Sequence, residues 1–140
     1  MRSTIIVILL TALFAFSAFA QKIEDASRKT IGYISSSGTV EDASRRTLGY
    51  ISSDGKIENA SRSTLGYLNS DGKVENASRT TLGYITSSGT VENASRSTLG
   101  YVSSDGKVED RSRKTLGHAS GVDRRYLALF FFFFFKPDKN

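Results

Sequence analysis

Thr47-Leu48-Gly49-Tyr50-Ile51-Ser52-Ser53-Asp54-Gly55-Lys56-Ile57-Glu58-Asn59-Ala60-Ser61-Arg62 returns with small changes every 17 residues along most of a chain of 140. Leu48 and Tyr50 are apolar at period two, Ile51 and Ile57 flank a polar turn, and no helical i, i+3, i+4 spacing is present. The unit therefore reads as a β-hairpin. Asp54-Gly55 is its strongest local signal, because glycine takes positive φ without steric cost. Ser52-Ser53-Asp54-Gly55-Lys56 predicts a type I turn closed by a glycine bulge. The turn recurs at Ser37-Gly38, Asp71-Gly72, Ser88-Gly89 and Asp105-Gly106. A second series, Gly32, Gly49, Gly66, Gly83, Gly100 and Gly117, falls inside strands. Glycine weakens a strand interior, so its return in every unit marks a bend or a close approach of backbone.

Six Glu-Asx-x-Ser-Arg-x-Thr arms, beginning at Glu24, Glu41, Glu58, Glu75, Glu92 and Glu109, lie around those five turns. A lone hairpin of this size is unstable in water, and each unit brings few large apolar side chains, so neighbours must share a core. Near-identical units either stack openly, which needs caps, or close on themselves, which removes both edges. Partial arms at the two ends favour closure, with the Ile23 arm beside the arm from Val108 to Leu116. The expected fold class is all-β, a closed five-fold ring of 17-residue β-hairpin repeats over residues 21–121.

The repeated Thr-Leu-Gly-Tyr-Ile, the Asp-Gly turn and the Glu-Asx-Ala-Ser-Arg arm, from Lys22 to about Ser120, resemble the bacterial β-flower proteins. The resemblance implies hairpins arranged around a central axis, in the five-fold form given five turns, and a bacterial envelope setting. It implies no activity, so no catalytic residue is carried over from it.

The two ends of the chain differ from the repeats. Arg2, the apolar run from Ile5 to Leu13 broken only by Thr11, and Ala18-Phe19-Ala20 before Gln21 read as a secretory leader over residues 1–20. The mature protein is then periplasmic, attached to the cell envelope, or secreted. With no cysteine, its fold must hold by pairing and packing alone. Lys plus Arg number 19 and Asp plus Glu 14; loss of Arg2 with the leader leaves 18 − 14 = +4. Acids and bases alternate within every repeat, which argues against nucleic acid as a partner, since that needs bases gathered on one face.

At the other end Arg111 replaces the repeated alanine and His118 the repeated tyrosine, and residues 122–135 follow as an aromatic segment before a polar tail, residues 136–140. Tyr126 to Phe135 is unbroken apolar sequence containing Phe130, Phe131, Phe132, Phe133, Phe134 and Phe135. Ten residues suit a strand and are too few for a membrane-spanning helix. Exposed in water, the run would be an aggregation hazard. It is expected as a strand packed on or in the ring, supplying the bulk that Ser- and Gly-rich repeats lack; docking on a membrane surface and self-association through the same residues are the alternatives.

Candidate binding residues come from the repeats. Tyr33, Tyr50, Tyr67, Tyr84 and Tyr101 are read first as packed core, and otherwise as a ring that stacks sugars of an envelope polysaccharide. Arg45, Arg62, Arg79 and Arg96 each follow a glutamate by four residues, which suits surface ion pairs, or an anion site should the ring axis gather them. Asn59, Asn76 and Asn93 stand in glycosylation sequons, but Asp25, Asp42 and Asp110 fill the same place elsewhere, so a side chain bonding its own backbone explains both residue types. One histidine and no thiol leave no metal set, and no cofactor is expected. Catalysis needs residues in unlike environments, and near-identical repeats do not supply them. The expectation is a non-enzymatic exported protein with a structural or binding role, with a carbohydrate- or anion-binding module as the alternative.

Overall fold

The computed structural model describes residues 20–136. The expected leader, apart from Ala20, lies outside them, as do the last four residues of the tail. Twelve strands form one antiparallel barrel: β1 (Ala20–Asp25), β2 (Thr30–Ser35), β3 (Thr39–Asp42), β4 (Thr47–Ile51), β5 (Lys56–Asn59), β6 (Thr64–Leu68), β7 (Lys73–Asn76), β8 (Thr81–Ile85), β9 (Thr90–Asn93), β10 (Thr98–Val102), β11 (Lys107–Asp110) and β12 (Thr115–His118). Sequential neighbours pair throughout, and β1 pairs with β12 through Glu24↔His118 and Asp25↔Gly117, so the barrel has no free edge.

The count differs from the expected five-fold ring. Each of the six Asx arms turns on itself and joins two strands, giving six two-stranded units. The first and last arms do not merge into one unit; the β1–β12 seam stands where a sixth glycine turn would be. Five glycine turns therefore accompany six repeats.

The glycine turns form as their residues dictate. In the turn at Gly55, the Gly55 amide donates to the Ser52 carbonyl at 2.9 Å and the Ser52 amide to the Lys56 carbonyl at 2.8 Å. Gly55 itself sits at φ +97°, and a Cβ there would lie 2.2 Å from the Leu68 carbonyl oxygen. The opposite turns are built by the Asx side chain. Asn59 Oδ1 accepts from the amides of Ser61 at 2.9 Å and Ser63 at 3.0 Å, and Asp25, Asp42, Asn76, Asn93 and Asp110 repeat the arrangement. This accounts for the free exchange of Asp and Asn, since one carboxylate or amide oxygen does the work.

Each second strand of a unit carries a β-bulge. Val40 lies opposite Gly49 and Glu41 opposite Thr47, which leaves Leu48 as the extra residue. The same slip makes Ile31, Leu65, Leu82, Leu99 and Leu116 extra in the other units. The bulge breaks strict alternation, so Leu48 packs on the core while Tyr50 turns outward. Tyrosine as packed core is corrected on this point. The inward positions are Ile23, Val40, Ile57, Val74, Val91 and Val108, all at 0% exposure, with Ile34, Ile51, Leu68, Ile85 and Val102 beside them.

An eight-stranded barrel is about filled by its own side chains, and a wider one leaves a lumen. Here the C-terminal segment fills it. The segment is helical, which corrects the expected aromatic strand: α1 (Arg124–Ala128) runs directly into a π-helical turn, α2 (Leu129–Phe133). Asp123 caps the start, accepting from the Arg125 amide, and Leu127, Ala128 and Leu129 are fully buried. An unbroken run of one apolar residue has no periodicity to separate strand from helix, and its length suits either.

The six phenylalanines meet the six strand glycines one to one. A Cβ added at Gly32 would touch the Phe130 ring, at Gly117 Phe131, at Gly100 Phe132, at Gly83 Phe133, at Gly66 Phe134 and at Gly49 Phe135. Successive residues thus step round the barrel one repeat at a time, which asks for about 60° per residue where an α-helix turns ~100°. The wider i→i+5 turn moves the backbone toward that step, as in the 3.0 Å bond from the Phe134 amide to the Leu129 carbonyl.

Glycine substitutions at these contacts should be graded by the space available. At Gly66 a Cβ would lie 2.1 Å from the Glu75 carbonyl oxygen and 2.6 Å from the Phe134 ring, whereas at Gly32 the nearest atoms are at 2.7 and 3.1 Å. Gly66→Ala should cost about 3 kcal/mol and Gly32→Ala about 1 kcal/mol in urea unfolding. Adding Phe134→Leu should not rescue Gly66→Ala, because the backbone oxygen remains in the way.

Candidate functional site

The outer wall carries one arrangement, repeated. Tyr50 lies in register with Glu58 across the β4–β5 pair and projects from the barrel half-buried. The Arg62 guanidinium covers its ring at 3.5 Å from the centroid, and Arg62 Nη1 donates to Glu58 Oε1 at 2.9 Å. Tyr33 with Arg45, Tyr67 with Arg79, Tyr84 with Arg96 and Tyr101 with Arg113 repeat the stack at 3.5–3.6 Å. The sequence-predicted tyrosines and arginines therefore come together on the outside, in five stacks, and the axis gathers aromatic side chains instead of arginines. Each Arg–Glu ion pair lies within one hairpin rather than between units.

Sequence reasoning missed the backbone of these arginines. Arg28, Arg45, Arg62, Arg79, Arg96 and Arg113 all sit at φ 69–71°, the left-handed region that costs a side-chain-bearing residue about 1–2 kcal/mol. That φ closes the Asx hairpin and swings the side chain back along the strand onto its tyrosine and glutamate. A signal was present in the residue four beyond each Asx. It is Lys29, Arg46 or Lys114 where the Asx is aspartate, and Ser63, Thr80 or Ser97 where it is asparagine, as expected if residue Asx+4 folds back over the Asx side chain. Arg46 does so, with Nε at 3.1 Å from Asp42 Oδ2, whereas Lys29 and Lys114 form no ion pair with Asp25 and Asp110 among the described residues.

Three carboxylates of this belt, Asp42, Glu75 and Glu109, are held in their charged form. Hydrogen bonding from Arg79 lowers the pKa of Glu75, and from Arg113 that of Glu109, against an opposing desolvation. Asp42 is lowered chiefly by the backbone amide of Arg46.

The sixth position, at the seam, differs. His118 replaces tyrosine opposite Glu24; Glu24 keeps the usual pair with Arg28 at 3.1 Å, but the guanidinium has no tyrosine to cover, and the buried Nδ1 of His118 has no hydrogen-bond partner among the described residues. Arg111 is exposed at the tip of the neighbouring turn. No group of three or more His, Cys, Asp or Glu among the described residues could hold a metal ion, and no described helix is long and apolar enough to cross a membrane.

Phe130, Phe131 and Phe135 are buried, and Phe132, Phe133 and Phe134 are half-buried. At the Asx-turn mouth, where the helix ends, an open bowl of about 700 Å³ has Phe134, Phe135, Leu48 and Leu65 in its lining. At the opposite mouth the helix start lies over the glycine turns, with Arg124 Nη2 donating to the Ser87 carbonyl, and the depressions there are of about 230, 240 and 130 Å³.

A closed barrel of near-identical hairpins wound about its own C-terminal helix defines a class, hairpin-repeat proteins arranged around an axis. A family model described as "5-fold beta-flower protein" matches residues 20–136, and the chain belongs to that family. In this member the barrel has twelve strands and six repeats. No curated protein and no solved structure matches it.

The Arg62 geometry gives a graded test. Arg62→Ala keeps the left-handed backbone cost while losing the stack and the ion pair, and should destabilise by about 1–1.5 kcal/mol. Arg62→Gly loses the same contacts but relieves the backbone, so its effect should stay within about 0.5 kcal/mol of zero. Thermal unfolding of the two variants separates the terms. For pH, the lowered carboxylates contribute stability that is complete above the ordinary carboxylate range and is lost as pH falls through their folded values. Urea midpoints should therefore be flat from neutrality to about pH 5 and fall below pH 4.

Proposed function

We propose that the protein is a non-enzymatic, exported β-repeat protein with a structural or binding role in the bacterial envelope. The filled axis carries this reading. Antiparallel barrels that carry a small molecule hold it in the lumen, and here six phenylalanines of the same chain pack along it. What remains for recognition is the outer wall and the two mouths. The wall repeats one motif with its charges paired locally, which suits a rigid module that meets a partner over several equivalent contacts.

Among ligands for that wall, an anion is favoured over a stacked sugar. The guanidinium groups already lie over the tyrosine rings at 3.5–3.6 Å, so a sugar would have to displace them, whereas an anion uses the donors that Arg45, Arg62, Arg79 and Arg96 retain. Export is tested by expressing the full chain with a C-terminal tag in a Gram-negative host, followed by fractionation and N-terminal sequencing. The expected product lies in the periplasmic or envelope fraction and begins at Gln21. Unprocessed chain confined to the cytoplasm would overturn the reading.

A further inference from the structure

We propose that the bowl at the Asx-turn mouth binds one single-chain amphiphile with an anionic head group, of the fatty-acid class. Its volume, about 700 Å³, lies within the ~300–1,000 Å³ of small-molecule sites and exceeds that of the depressions at the opposite mouth. Its floor is apolar because two features of the fold meet there. The β-bulge directs Leu48 and Leu65 toward the mouth, and the phenylalanine helix ends with Phe134 and Phe135 beside them. Phe134 remains half-exposed, an aromatic ring facing water that an acyl chain would cover.

The rim supplies the charge. Among the described residues, Lys29, Arg46 and Lys136 line it against one acid, Asp42. Asp42 already accepts from Arg46 Nε at 3.1 Å and from the amides of Ser44 at 2.8 Å and Arg46 at 2.9 Å. The Lys29 ammonium takes part in no ion pair among the described residues. An apolar floor under a rim with cationic excess complements a hydrocarbon chain ending in a carboxylate. The site is separate from the arginine–tyrosine wall, and it does not depend on where the protein resides.

The test titrates the full-length chain with a dansyl-labelled undecanoic acid below its micelle concentration. One saturable site per chain is expected, with blue-shifted emission, displaced by palmitate and about tenfold less well by the matching alcohol. Lys29→Glu should weaken binding about tenfold, and so should Leu65→Gln, which alters the floor and leaves the rim. Lys114→Glu, on a hairpin that does not line the bowl, should leave it unchanged. Circular dichroism of each variant reports whether it folds, and a rise in the wild-type melting temperature with added palmitate gives a readout independent of any variant. The proposal is overturned if full-length chain takes up no probe, if acid and alcohol compete equally, if several molecules adsorb per chain, or if folded Lys29→Glu and Leu65→Gln bind as the wild type does.

Discussion

Six phenylalanine rings set against six glycines are the constraint on which the rest of the barrel depends. Twelve strands enclose more space than their own side chains fill, and the repeats offer mainly Ile, Val, Ser and Gly with which to fill it. The C-terminal helix closes that gap, but only where the wall recedes. Glycine makes the recess by omitting a Cβ that would press on both an aromatic ring and the carbonyl oxygen of the adjoining strand. The π-helical turn follows from the same constraint: a ring has to meet each repeat in succession, and an α-helix turns too far per residue to do this. Residues that look unfavourable in isolation, glycine in mid-strand and a rare helix type, are thus accounted for by a single contact set.

The wall is organised by a different economy. Each Asx hairpin accepts a non-glycine residue at positive φ, which is unfavourable locally, and uses the resulting direction of the side chain to meet glutamate and, in five of the six, to cover tyrosine. The opposing terms are of similar size, so the turn is close to neutral in energy while fixing the outer surface in one form. Family membership is shown over nearly the whole described chain, yet the repeat number of this member is set by its own seam.

Much of the architecture was legible in the residues. The Asp-Gly and Ser-Gly turns, the Asx side chains bonding their own backbone, the seam between first and last arms and the close approach at Gly32 through Gly117 all follow from local chemistry that each unit contains. What escaped depended on relations between distant parts. Counting turns gives five units where the barrel has six, because a closing seam has no turn. An apolar pattern of period two points Tyr50 inward, because the bulge at Leu48 leaves no mark in it. The phenylalanine run shows no helical period of its own, because that period lies in the spacing of the glycines it meets, from Gly32 to Gly117. The candidate wall residues were named from sequence, but their pairing was not, since it rests on the backbone of Arg28 and its counterparts.

The one-to-one match between helix and wall also bears on how such a chain keeps its length. Tandem copies this similar invite gain or loss of a unit during replication, and a barrel of hairpins has no intrinsic objection to one more or one fewer. The helix supplies the objection. A seventh repeat would present a glycine recess with no ring to fill it, and a chain with five would leave one phenylalanine without a socket. The C-terminal segment therefore acts as a molecular tally of the repeats before it, and a barrel with another number of repeats would need another number of phenylalanines to fill every recess.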